Sequence, residues 1–127
     1  PDVLITTAPF RTLGQNYGSS HPDHIAAGEA ALSSVYPTAR DRLTFPELLD
    51  EGFEPHKVRE VWVMSREDAD HFNDISEEDM ETALKALAAH TSQVPPEAIE
   101  RVRAWKSENG KAHNMTYAES FRTFTLR

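Results

Sequence analysis

The run Val3-Leu4-Ile5-Thr6-Thr7 constrains the fold of this chain more than any other stretch. Apolar and β-branched residues without polar alternation read as a short strand buried on both faces. Such strands usually lie inside a parallel sheet, with neighbours on either side. As an edge strand it could stand alone, but parallel neighbours need crossover connections, commonly helices, and the order of elements along the chain reads α/β. At 127 residues the chain is one domain at most. A chain of this size buries roughly 65% of the surface its unfolded form exposes, enough for a single core. The sequence opens on Pro1 where a natural protein opens on Met. A processed product or fragment is therefore expected, with some neighbours of the first strand outside the chain.

The remaining elements follow in order. Residues 8–20 read as loop, interrupted by Pro9, Gly14, Asn16, Gly18, Ser19 and Ser20. Pro22 is suited to the first position of a helix, whose small apolar side is Ile25, Ala27, Gly28, Ala31, Leu32 and Val35. That helix should end near Tyr36, before Pro37. Residues 38–57 read as loop with a turn of helix at Phe45-Pro46-Glu47-Leu48-Leu49, and Val58 to Met64 as a second strand. Phe72 to Ile75 is short enough for a third. Ser76 with Asp79 approximates a capping box ahead of Met80, Leu84, Leu87 and Ala88 at helical spacing. A further helix is predicted from Pro96 to just before Gly110, with Ile99 and Val102 inward. Tyr117 to Phe124 reads as a last helical turn or two running into an extended tail.

Charge and composition exclude several functions. The formal net charge is −8, from 13 basic and 21 acidic side chains. No Lys/Arg cluster would neutralise phosphates, so no nucleic-acid partner is expected. The longest apolar runs span a few residues, far short of a membrane-crossing segment, and no signal-peptide core is evident. Cysteine is absent, which removes thiolate ligands and nucleophiles and fits a cytoplasmic location. Any metal site must use histidine and carboxylate.

The chemistry-bearing segment is Tyr17-Gly18-Ser19-Ser20-His21-Pro22-Asp23-His24. Histidines three apart share a helical face, and a helix start disfavours the charged imidazolium. One imidazole could ligate a metal while the other acts as acid or electrostatic stabiliser, with Asp23 fixing a tautomer. The same spacing also fits two solvent-facing residues at a helix start. A catalytic zinc site usually takes three protein ligands, and no His-Glu-x-x-His pattern is present. Asn16 and Tyr17 precede the pair and are candidates to line a substrate pocket, as is Arg11. His90 is read as a turn organiser, and His56, His71 and His113 show no convergence with the pair.

The run Ser-His-Pro-Asp-His-Ile-Ala-Ala-Gly-Glu-Ala-Ala-Leu-Ser-Ser-Val-Tyr over 20–36 resembles the second conserved motif of the LmbE-like, or PIG-L, N-deacetylases. Ala39-Arg40-Asp41, Phe45-Pro46-Glu47-Leu48-Leu49, Pro55 to Val61, Ala89 to Gln93 and Tyr117 to Arg122 extend the resemblance collinearly. It implies a Rossmann-like three-layer α/β sandwich with a mostly parallel sheet, of which residues 1–127 are the carboxyl-terminal part. It implies that His24 is a ligand of Zn2+, or of another divalent ion, that His21 stabilises or protonates the transition state, and that Asp23 orients its histidine neighbour. The implied reaction is removal of an acetyl group from an N-acetylated amino sugar or similar small molecule.

The family's first motif, Ala-His-Pro-Asp-Asp-Glu, supplies two further ligands and the aspartate base, and no such run occurs here. Deacetylation is therefore expected of a complete domain, with the amino-terminal half or a partner chain supplying the rest. The alternative is a catalytically inactive remnant acting as an assembly or sugar-binding module. A half-sized core and an apolar first strand also predict an isolated chain that is marginally stable or self-associating.

Overall fold

Alternation, rather than burial on both faces, governs the first strand. The computed structural model describes residues 1–11, 21–64 and 67–127, and the chain divides into two compact units. In the first, Pro1–Asp68 with Arg122–Arg127, strand β1 (Val3–Thr6) pairs in parallel with β2 (Glu60–Met64). Leu4 lies opposite Val61 and Thr6 opposite Val63, so the two-residue period puts these four on one face. Helix α1 (Pro22–Val35) covers it: Val35, Val58, Val61 and Val63 are buried, with Leu4, Ala8, Leu32 and Leu126 packed against them. Val3 and Ile5 are 39% and 55% exposed. The expectation of a strand buried on both faces is thus corrected, because its second face has no cover among the described residues.

The crossover from β1 to β2 runs through α1, a 3₁₀ turn at Thr38–Arg40 and the short helix α2 (Glu47–Asp50). Strand β4 (Tyr117–Thr125), whose residues from Arg122 onward belong to this unit, neighbours β2. Just beyond its end the Leu126 amide donates to the Arg59 carbonyl at 2.8 Å.

The second unit, Ala69–Phe121, holds β3 (His71–Ile75), α3 (Glu77–Ala88), α4 (Pro96–Lys111) and most of β4. Ser76 caps α3, its Oγ accepting the Asp79 amide at 3.1 Å and donating to Asp79 Oδ2 at 2.8 Å. Met80, Leu84 and Tyr117 form the core, with Ile75, Ile99 and Val102 against them. Lys106 sits over the Trp105 ring, its Nζ 4.1 Å from the centroid, and pairs with Glu119. Arg103 joins Glu81, Glu77 and the Tyr117 hydroxyl, and its bond to Glu81 above all raises the guanidinium pKa.

Three further expectations are corrected here. Strand β3 pairs antiparallel with β4, Ile75 opposite Tyr117 and His71 opposite Phe121, so the sheet is mixed rather than mostly parallel. Residues 117–125 form that strand, not helical turns. The four- and three-residue spacing of Tyr117, Phe121 and Phe124 imitates a helix, but pairing with β3 holds the backbone extended. Finally, α4 continues through Gly110 to Lys111. The glycine is there for close approach rather than termination, since a Cβ would stand 2.6 Å from the Met115 carbonyl oxygen. No helix among the described residues is long and apolar enough to cross a membrane.

Candidate functional site

Helix α1 begins with proline at its first position, preset for helical φ, and with His21 as its N-cap. His21 is extended, at φ −60° and ψ 138°, and its Nδ1 accepts the Asp23 main-chain N–H at 3.1 Å. Its carbonyl takes the amides of His24 at 3.0 Å and Ile25 at 3.2 Å. A neutral imidazole whose Nδ1 is an acceptor carries its proton on Nε2, so the outer nitrogen is a donor. The Asp23 carboxylate is not the bonded partner: its Oδ2 lies 3.8 Å from Nδ1. The contact from Asp23 to the ring is made by its main-chain N–H.

His24 lies one turn in, its ring centroid 5.9 Å from that of His21 with the planes inclined by 53°. Both side chains are exposed. Two contacts seat this turn. The Thr7 hydroxyl donates to the His24 carbonyl at 2.6 Å. Gly28 abuts the chain just beyond β1, where an added Cβ would meet the Thr7 carbonyl oxygen at 2.5 Å and Ala8 and Pro9 backbone atoms at 3.1 Å. The pair therefore stands at the carboxyl end of a parallel strand, where open α/β sheets hold their ligands.

Every histidine, aspartate and glutamate of the chain falls within the described residues. Among those residues no three such groups come together as a metal cage. Two neighbouring imidazoles, one engaged as a helix cap, do not fit the three-ligand set of catalytic zinc.

The other candidates are placed as follows. Arg11 is exposed. Asn16 and Tyr17 lie outside the described residues. The His90 carbonyl accepts the amides of Gln93 and Val94 at 3.0 and 2.9 Å, in a turn. His56 Nε2 is 2.7 Å from the Pro1 carbonyl, and His113 stacks on Phe72 with centroids 3.7 Å apart. Thr7 is the contributor that sequence reasoning passed over, and Gly28 was read only as part of the small apolar side of its helix. A glycine inside a helical pattern marks close packing, but Thr7 looks like the end of an apolar run.

A separate concavity of about 260 Å3 lies in the same unit, away from the first turn of α1. Phe45, Leu48, Leu49 and Phe53 line it, with the Arg42–Glu54 ion pair at its edge. Asp41 also lines it, and its carboxyl sits below the ordinary aspartate range because it accepts the Leu43 amide and the Thr44 hydroxyl. Exposed apolar side chains crowd this stretch: Tyr36, Leu43, Phe45, Leu48 and Phe53 are 43–86% exposed.

The chain matches no protein-family model and no curated protein. Among solved structures it is similar to the N,N'-diacetylchitobiose deacetylase from Pyrococcus horikoshii, solved with its inhibitor MPG. The TM-score is 0.79 at 25% identity, over 98% of this chain and 46% of that one. It is also similar to a conserved protein, TT1542, from Thermus thermophilus, with TM-score 0.73 at 21% identity over 100% of this chain and 53% of that one. The chain thus has the α/β fold of the PIG-L/LmbE deacetylase superfamily. It spans about half the length of the solved structures it matches.

Proposed function

We propose that this chain is the carboxyl-terminal part of an amide hydrolase domain that deacetylates an N-acetylated amino sugar or related small molecule. The observation that carries the reading is the His21–His24 pair at the carboxyl end of β1, on a fold similar to that of a chitobiose deacetylase. Hydrolysis adds water to the acetyl carbonyl, passes through a tetrahedral oxyanion, and releases acetate and a free amine. His21 presents Nε2–H outward, suited to donate to the oxygen that gains charge. His24 offers an imidazole beside it. The group that takes the proton of the attacking water lies outside this chain in our reading, and so do the remaining ligands if Zn2+ is used.

A second reading is a non-catalytic assembly or sugar-binding module, which would need no metal ligands beyond the two imidazoles of this chain. Native mass spectrometry of the protein from its source, with metal retained, separates the two. The deacetylase reading expects this sequence in a larger species, on one polypeptide or with a partner, holding one metal ion and releasing acetate from N-acetylated amino sugars. A metal-free 14.3 kDa chain or homo-oligomer without acetate release replaces it with the second.

A further inference from the structure

We propose that Thr7 is a positioning residue for the histidine pair, its hydroxyl fixing the turn of α1 that carries His24 against the end of β1. The proposal rests on the reading of His21 and His24 as site residues, to which it adds the group that sets their mutual geometry. Thr7 follows the last residue of β1, and 17 positions separate it from His24. Its Oγ1–H spans that distance with a 2.6 Å bond to the His24 carbonyl.

The carbonyl that Thr7 holds belongs to the turn whose amides, from His24 and Ile25, fold back onto the His21 carbonyl. Holding it therefore restrains both histidines together. Gly28 reinforces the seat one turn later, because the absence of a Cβ lets α1 lie against the Thr7 carbonyl oxygen. Helix starts fray, since their first amides lack intrahelical partners. His21 and His24 are both exposed, so little packing of their own side chains holds the rings at 5.9 Å and 53°. The hydroxyl bond supplies that restraint from the strand. A valine of the same shape would keep the packing and lose the bond. A serine would lose the methyl and keep it.

The test is made on the whole 127-residue chain without metal or substrate. Proton NMR reads the cross-relaxation between the His21 and His24 rings, and the ring 15N shifts report the His21 tautomer. Thr7→Val should lower the equilibrium constant for the seated turn roughly two- to tenfold, the change expected for a lost hydrogen bond, and so weaken the ring-to-ring signal. Thr7→Ser should restore it. Unchanged signals in Thr7→Val overturn the proposal, and so does equal loss in Thr7→Ser. If Thr7→Val does not fold, Thr7→Ala takes its place. If neither hydroxyl-free chain folds, the hydroxyl acts on the fold rather than the pair and the proposal falls. Because ring geometry is read without catalysis, this result and the deacetylase reading can fail separately.

Discussion

Replacing His21 by alanine is expected to lower acetate release by the completed domain about a hundredfold, the typical loss when one oxyanion donor is removed. The Asp23 amide occupies Nδ1 at 3.1 Å, which leaves Nε2–H as the outward donor of a neutral ring. Alanine removes both the donor and the cap, and loss of a good N-cap costs about 1 kcal/mol. His21→Asn separates the two effects, because asparagine is among the best N-caps yet has no nitrogen where Nε2 stood. Turnover should fall as far in His21→Asn as in His21→Ala, while the asparagine chain melts close to the wild type. Metal content of the completed protein should survive both changes and drop in His24→Ala. Acetate-release kinetics with metal analysis on the same samples checks all three. Unchanged turnover in His21→Asn would remove His21 from the chemistry.

Gly28→Ala is expected to destabilise the chain by about 2 kcal/mol, although alanine favours helix over glycine by about 1 kcal/mol. The sign is decided by what the new Cβ would meet: main-chain atoms of Thr7, Ala8 and Pro9, with the Thr7 oxygen at 2.5 Å. A flexible side chain could swing aside, whereas this backbone leads directly out of a paired strand. Helix α1 must therefore move off β1, taking with it Leu32 and Val35 from the core around Val61 and Val63. Urea denaturation followed by circular dichroism measures the loss. A gain in stability would show that α1 does not seat on the end of β1 as described.

Much of the fold was legible from pattern alone. Pro22 and Pro96 mark helix starts by their chemistry, and Ser76 with Asp79 marks another. The second strand declared itself through β-branched and aromatic residues, whereas the third was legible only as a short run between Phe72 and Ile75. What failed depended on partners distant in sequence. The apolar run at Val3 gives no sign that α1 would cover one side only. Tyr117 to Thr125 is extended because β3 pairs with it, and its aromatic spacing points the other way. Gly110 resembles a helix stop until the Met115 carbonyl is seen against it. At the candidate site, the histidines were legible as a pair at a helix start. That Asp23 acts on His21 through its amide depends on backbone geometry that spacing does not encode. The Thr7 bond crosses 17 positions and has no local signature.

The crowding of Tyr36, Leu43, Phe45, Leu48 and Phe53 at the surface bears on how this chain behaves in solution. Its net charge of −8 makes copies repel one another, over a range of about 10 Å in 0.1 M salt and about 3 Å in 1 M salt. Apolar attraction has no such screening and is strengthened by salts such as sulfate. Raising the ionic strength removes the repulsion and leaves the attraction. Association of the 127-residue chain through this surface should therefore grow with salt, whereas contacts between opposite charges would loosen.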